Sequence, residues 1–123
     1  MSHGITTGPG ALFLADLSPV AGPEQGGSRP VLVVSAPGHL SITAGRLLTI
    51  CPVTSRDRGV VNHIAITPAS SHRLTRASWV MTEQSRTISS RRIARPLGTI
   101  GADDLDAVLA AVHRFVARPG VAY

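Results

Sequence analysis

The sequence predicts a small, mainly β fold, a strongly bent antiparallel sheet or barrel with one C-terminal helix packed on it. The chain has 123 residues, a length that favours a single domain spanning residues 1–123. Short apolar runs alternate with segments rich in Ser, Thr, Gly, Pro and Arg, which is typical of short strands joined by turns. Hydrophobic residues make up 43% of the chain and aromatic residues only 3%, so we expect an aliphatic core.

Six segments have the composition of strands. The first, Ala11–Leu17, is apolar and ends at the turn residues Ser18-Pro19. The second, Pro30–Ser35, is a continuous apolar run, and we expect Pro30 at its first position because proline cannot donate to a ladder. The remaining four are Arg46–Val53, Val61–Thr67 with its period-two alternation, Trp79–Glu83 and Ile93–Ile100.

One amphipathic helix is expected near the C-terminus. Asp103 and Asp104 lie in its first turn and Arg114 and Arg118 near its end, as the helix dipole favours. Pro119-Gly120 is expected to end it. Its apolar stripe consists of Leu105, Val108, Leu109, Val112, Phe115 and Val116.

The charge balance favours a polyanionic partner. The formal net charge is +5, and all twelve basic residues are arginine, whose planar fork suits phosphate and carboxylate. Arginine without lysine is also what a biased genome composition would give. No apolar run reaches about 18 residues, so we expect no membrane span, and no signal peptide pattern begins the chain. The single Cys51 excludes an internal disulfide framework and fits a reducing cytoplasm.

The polar, glycine-rich loop before the second strand indicates a site for a phosphate-bearing ligand. Gly26 and Gly27 permit positive φ and close approach, so we expect loop N–H groups to face an anion. Arg29 stands where this loop meets a rigid strand, which positions a functional group well. Glu24 lies in the same loop and is close enough in sequence to pair with Arg29, so an ordinary surface ion pair is the alternative.

Hydroxyl, amide and basic side chains follow two other strands. Thr54-Ser55 come at the end of the third strand, where hydroxyls bind a phosphate or cap a turn. Arg56 and Arg58 follow at once and favour an anion. The segment Glu83–Thr87 is either the rim of a substrate site or a solvated turn. The basic residues continue with Arg91, Arg92 and Arg95.

Patterns for a metal site or a nucleophile are weak in this chain. The five histidines are never spaced as a ligand pair, and His63 lies within a predicted strand, as a structural residue would. Cys51 lies in an apolar strand beside Pro52 and is expected to be a buried, inert thiol. Trp79 either stacks on a base or belongs to the core. No nucleophile elbow, phosphate-binding P-loop or dinucleotide fingerprint is present.

At these residues the chain resembles the MazF/PemK family of toxin endoribonucleases over nearly its whole length. A Glu-Gln-Gly-Gly-x-Arg-Pro loop followed later by a Glu-Gln-x-Arg-Thr segment is distinctive of that family. The stretches that carry the resemblance are Ala15-Asp16-Leu17-Ser18-Pro19, Gly22 to Ser35, Pro52-Val53-Thr54-Ser55, Glu83-Gln84-Ser85-Arg86-Thr87-Ile88, Arg92-Ile93, and Leu97-Gly98-Thr99-Ile100 leading into Asp104-Leu105.

The resemblance implies a small SH3-like barrel of the CcdB/MazF type that forms a homodimer and needs no metal or other cofactor. It implies cleavage of single-stranded RNA by attack of a ribose 2′-OH on the adjacent phosphate, leaving a cyclic phosphate and a 5′-OH. The family's catalytic positions fall on Arg29, Thr54 and Glu24. Residues expected to contact RNA are Gly26, Gly27, Ser28, Pro30, Ser55, Arg56, Gln84 and Arg86. A cognate MazE-like antitoxin with an acidic, disordered tail is the expected protein partner.

Two other functions are compatible with the same fold. CcdB-type toxins share the barrel and inhibit DNA gyrase by binding it, but the segment Arg118-Pro119-Gly120-Val121-Ala122-Tyr123 does not resemble the end those toxins use. A degenerate relative that only binds RNA is the other alternative. The chain also departs from the family where Gly8-Pro9-Gly10 replaces a usual Arg-Gly, which removes one basic contact. The sequence leaves open whether Glu24 or Arg29 transfers the proton in this reaction.

Overall fold

The computed structural model describes residues 6–18, 22 and 26–116 of the chain. In this described part, seven strands and two α-helices form a mainly β fold, as the sequence predicts. The strands are β1 (Ala11–Asp16), β2 (Ser28–Val33), β3 (Leu47–Thr54), β4 (His63–Ala65), β5 (Trp79–Met81), β6 (Arg86–Ser89) and β7 (Ile93–Thr99). The helices are α1 (Pro37–Ile42) and α2 (Ala102–Val116), and single 3₁₀ turns cover Thr82–Gln84 and Ser90–Arg92. No helix of the described residues is long and apolar enough to cross a membrane.

The strands form one antiparallel sheet with the order β4-β5-β3-β2-β1-β7, and β6 also pairs with β3. Strand β3 organises this sheet because it pairs with β2 on one edge and with two short strands on the other. Leu47 to Ile50 pair with β6, while Val53 and Thr54 pair with β5. The sheet therefore bends sharply along β3.

The described strands do not close into a continuous barrel, but a loop segment covers the open edge of β7. His72 forms an isolated bridge with Gly98. The Arg73 N–H donates to the Leu97 carbonyl at 2.8 Å, and the Thr99 N–H donates to the Ser71 carbonyl at 3.0 Å. These bonds fix the long connection between β4 and β5 against β7, which brings it beside the ends of β2 and β3.

The core is aliphatic and lies on both faces of the bent sheet. Leu12, Leu32 and Cys51 belong to the cluster covered by α2, whereas Val31 and Ile50 belong to a second cluster on the opposite face. Because neighbouring residues in a strand point to opposite faces, burial of both faces explains the continuous apolar runs in the sequence.

Helix α2 confirms the predicted helix but buries a narrower stripe than expected. Val108 and Ala111 are buried, and Leu105 and Val112 pack against the core cluster. The other three residues of the expected stripe are solvent-exposed: Leu109 by 37%, Phe115 by 46% and Val116 by 72%. The helix contacts β4 and the 3₁₀ turn at Thr82–Gln84. Arg118 and Pro119-Gly120 lie outside the described residues.

The structure departs from the sequence-based expectations at three places: the start of β2, the segment after Ser35, for which the sequence predicts no helix, and the segment Glu83–Thr87. Strand β2 begins at Ser28 rather than Pro30. Pro30 is tolerated there because pairing with β3 begins only at Val31, so this proline precedes the segment bonded on both edges. The segment after Ser35 contains helix α1, with a proline in its first turn, where no N–H is required. The segment Glu83–Thr87 is not one continuous turn, because Arg86 and Thr87 belong to β6 and pair with the first half of β3.

Candidate active site

A cavity of about 590 Å³ opens where β2 begins and β3 ends, beside the segment 73–78 that follows the bridge to β7. Six arginines line it, and no acidic side chain of the described residues does. In the same described part of the chain, none of the six pairs with a carboxylate. This concentration of uncompensated positive charge attracts a polyanion. The six are Arg29, Arg56, Arg58, Arg73, Arg76 and Arg95.

Arg29 is held in place on β2 with part of its guanidinium left for a ligand. It pairs in register with Ala15 of β1, and its Nε donates to the Gly26 carbonyl at 3.0 Å. Burial lowers the pKa of Arg29 below its usual value, and the nearby charge of Arg58 lowers it further. Both causes disfavour the cation, so a bound anion would relieve an existing electrostatic cost.

Thr54 stands across from Arg29 at the same end of the sheet. The pairs Val31 with Pro52 and Leu32 with Cys51 define the β2–β3 register, and its continuation sets Arg29 opposite Thr54. Both residues line the cavity. The buried Thr54 hydroxyl accepts the Arg56 N–H at 3.2 Å, so it caps the turn after β3. Its hydroxyl proton has no acceptor among the described residues and is free to be donated into the cavity.

The start of β2 contributes Ser28 and Pro30 to the cavity wall, and the turn after β3 contributes Ser55. Gly27 has a φ of +74°, as expected of a glycine in the loop before β2. Its N–H, however, donates to the Ser18 hydroxyl at 3.0 Å and does not face the cavity, so that expectation was wrong for Gly27. Gly26 supports Arg29 through its carbonyl. Glu24 lies outside the described residues.

A model of the PemK-like, MazF-like toxins of type II toxin-antitoxin systems matches residues 9–116 of the chain. The protein belongs to this family. Endoribonuclease MazF9 of Mycobacterium tuberculosis (strain H37Rv) is 33% identical over 100 residues, which cover 78% of this chain and 84% of that protein.

Solved structures of MazF toxins also resemble this chain. The crystal structure of MazF (Form-I) from Deinococcus radiodurans aligns with a TM-score of 0.77 and 31% identity, covering 91% of this chain and 97% of that one. The MazE-MazF crystal structure (Form-II) from the same organism aligns with a TM-score of 0.68 and 30% identity, over 89% of this chain and 95% of that one.

Two residues matched to the RNA-contacting segment of MazF/PemK toxins lie outside the arginine-lined cavity. Gln84 is half-buried in a 3₁₀ turn, and Arg86 on β6 donates to the Leu17 carbonyl at 3.2 Å. Arg92 likewise donates to the carbonyls of Asp16 and Ser18. Arg86 and Arg92 therefore support the start of the β1–β2 loop, and RNA contact by Gln84 and Arg86 stays a prediction.

Three other residues singled out in the sequence do not line the arginine-lined cavity. His63 is a structural residue, as expected: its side chain is only 4% exposed, and its Nε2 lies 2.9 Å from Glu83 Oε2. Cys51 is fully buried, and this burial, aided by the charge of Glu83, raises the pKa of its thiol to about 12. Trp79 is half-buried on β5, where it pairs in register with Thr54, and does not line the cavity.

Sequence reasoning missed one wall of the toxin's cavity. Arg73, Thr75, Arg76 and Ser78 reach it from the β4–β5 connection, a segment that has no apolar periodicity. One signal was available: no acidic residue occurs between Asp57 and Glu83. That stretch therefore carries only positive formal charge.

Proposed function

We propose that this toxin is a single-domain, cytoplasmic, metal-independent endoribonuclease that cuts single-stranded RNA at short sequences. The observation that carries the proposal is the convergence of six arginines, Arg29 among them, and Thr54 in one cavity, where none of the six pairs with a carboxylate of the described residues. Several phosphates can be neutralised there at once, which is the dominant source of affinity for a nucleic acid. Membership of the MazF/PemK toxins and the kinship with Endoribonuclease MazF9 support the same activity.

The chemistry we propose is an internal transfer at phosphorus. The ribose 2′ oxygen forms a bond to the adjacent phosphorus while the bond from phosphorus to the 5′ oxygen breaks. The 2′-OH proton passes to a base, and the leaving 5′ oxygen receives a proton. The products are a cyclic phosphate and a 5′-OH. No external nucleophile is needed, but negative charge grows on the phosphoryl oxygens and must be stabilised.

Arg29 and Thr54 are suited to stabilise the negative charge that grows on the phosphoryl oxygens. A guanidinium already disfavoured as a cation by burial donates more strongly to a developing oxyanion, and the Thr54 hydroxyl has a proton free to donate. We assign the general base to Glu24, because a carboxylate accepts a proton near neutral pH and a guanidinium does not. Glu24→Gln should then remove the acidic limb of the pH–rate profile.

The remaining proposed RNA contacts surround these groups. Ser28, Pro30, Ser55 and Arg56 line the cavity and are proposed to contact the backbone around the scissile phosphate. Gly26 and Gly27 are proposed to allow its close approach, because among the described residues, chain neighbours apart, nothing lies within 4 Å of where a Cβ on Gly27 would be. Gln84 and Arg86 are proposed to contact RNA farther from the cut.

A long mixed-sequence RNA incubated with the toxin and EDTA tests this function. We expect cuts at a restricted set of sequences, with ends that carry a cyclic phosphate and a 5′-OH. Loss of cleavage on adding EDTA would contradict the metal-free mechanism. Binding without cleavage would favour an RNA-binding relative, and inhibition of DNA gyrase without RNA cleavage would favour a CcdB-like activity.

We further propose that the toxin is a C2 homodimer restrained by an antitoxin. Exposed apolar side chains at Ile42, Leu47 and Val61 support self-association. The partner is proposed to be MazE-like, with an acidic, disordered tail that covers Arg29 and Thr54 through charge-assisted bonds. The solved MazE-MazF pair of the Deinococcus relative supports the class of partner.

Two measurements test this assembly. Sedimentation at micromolar concentration should give a dimer, and a stable monomer would contradict it. The antitoxin tail should compete with a non-cleavable RNA, more weakly as salt rises. Simultaneous binding of both without mutual loss of affinity would contradict occlusion of the cavity.

A further inference from the structure

A second, smaller cavity of about 160 Å³ adjoins the arginine-lined one, and the two share a wall. Leu74, Thr75, Arg76 and Ser78 line both cavities. A ligand bound in the first cavity is therefore separated from the second cavity only by these shared residues. The small cavity lies well below the roughly 300–1,000 Å³ of a pocket for a drug-sized ligand, a size that suits one planar ring better than a whole nucleotide.

The two cavities differ in chemistry. The first is lined by six guanidinium groups, whereas the residues that line only the second are Ile66, Pro68, His72 and Ala77. Aliphatic side chains accept the faces of an aromatic ring, and a few polar groups at the edge select among rings. Thr75 can supply one such group, because its hydroxyl has no partner among the described residues.

The shared wall is held rigidly, as a selective site requires. The Leu74 N–H donates to His72 Nδ1 at 3.3 Å, and His72 Nε2 donates to the Thr67 carbonyl at 2.9 Å, an assignment that follows from the two bonds together. Thr67 is in turn bound to helix α2, since its N–H and hydroxyl donate to the Asp104 carboxylate at 2.7 and 3.1 Å. The wall is thus anchored to α2, and through the bridge between His72 and Gly98 it is anchored to β7.

We propose that the small cavity is a base-selecting subsite that receives a single RNA base while the adjoining backbone crosses the arginine-lined cavity. Arg76 stands at the boundary between the two and binds the phosphate of that nucleotide. This inference rests on the proposed function for the identity of the ligand. In this proposal the β4–β5 connection determines part of the preference for RNA sequence, because phosphate contacts alone carry no base information.

Filling the small cavity tests the subsite. Ala77 is exposed and lines this cavity but not the larger one, so Ala77→Phe should occlude it while leaving every arginine in place. Ala107→Phe, on the exposed side of α2, is the matched control. Cut sites are mapped on a long mixed-sequence RNA for wild type and both variants. In parallel, wild type and both variants are used to select ligands from a random 2′-O-methyl RNA pool, which lacks the 2′-OH nucleophile and so cannot be cleaved.

We expect Ala77→Phe to lose its preference at one position of the cut motif, by tenfold or more, and Ala107→Phe to keep the wild-type motif. Thermal unfolding checks both variants, and Ala77→Leu replaces Ala77→Phe if the latter is unfolded. If wild type binds the pool with a base preference that Ala77→Phe removes, but cuts no RNA, the proposed function fails and the subsite stands. An unchanged preference at every position in a folded Ala77 variant, or no base preference in wild type, overturns the subsite.

Discussion

Gly98 packs its Cα directly against the backbone of Ser71. A Cβ at position 98 would overlap the Ser71 carbonyl oxygen and lie 2.7 Å from the Cα of His72. The φ of Gly98 is +112°, a conformation that residues with a side chain rarely adopt. This contact joins β7 to the connection that carries Arg73 and Arg76 into the cavity.

Gly98→Ala should therefore weaken both stability and RNA binding. We expect a loss of roughly 2–4 kcal/mol in the free energy of unfolding, because the new methyl group meets backbone atoms that cannot move aside cheaply. Thermal or urea unfolding measures that loss, and affinity for a non-cleavable RNA measures displacement of the two arginines. Gly38→Ala is the control, since its Cβ would enter open space on α1. Equal stability of the two variants would show that the close approach does not constrain the fold.

Arg73→Gln should reduce RNA affinity alike for all sequences, since a phosphate contact carries no base information. The slope of log K against log salt concentration should become shallower by about 0.7, the value for one phosphate contact with a single strand. The measurement is a salt titration of binding to a non-cleavable RNA. Arg114→Gln, exposed on α2 away from the cavity, should keep the wild-type slope. A shallower slope in both variants would mean that the charge effect is not local.

The thiol of Cys51 should stay unreactive in the folded protein. Its pKa is raised to about 12 from 9.0, chiefly by burial, so the folded state holds the proton where the unfolded chain releases it. Its contribution to stability is therefore fully present below pH 9 and declines as pH rises from about 9 towards 12. We expect no labelling by a thiol reagent at pH 8 without urea and full labelling when the chain is unfolded in urea. Rapid labelling of the native protein would show that β3 opens locally.

Elements that have an apolar pattern of their own can be predicted from the sequence. Elements that form only by pairing with another strand cannot. β1, β3 and α2 are recognisable because each supplies a buried face. β6 is not, because Arg86–Ser89 becomes a strand only through its ladder with the first half of β3. The pair Pro37-Gly38 fits a turn as well as it fits the first turn of a helix, so α1 is not predictable from it.

The same distinction applies to the site. Arg29 and Thr54 are found from sequence because each lies next to a strand whose direction is predictable, and the β2–β3 register then brings them together. Arg76 is not found, because only the bridge between His72 and Gly98, distant in sequence, brings its segment to the cavity. Contacts that depend on tertiary structure leave no local pattern in the sequence from which they could be predicted.

Single-turnover cleavage by Arg29→Met tests the central claim most directly, with Arg114→Met as the matched control. We expect a rate on the order of 100-fold or more below wild type, because one charge contact to the transition state is lost. The free energy of unfolding is measured for both variants, because Arg29→Met removes the hydrogen bond to the Gly26 carbonyl as well as the cation that burial and Arg58 disfavour. Arg114→Met should cleave as wild type does. Wild-type cleavage by a folded Arg29→Met variant would contradict the assignment of this cavity as the active site.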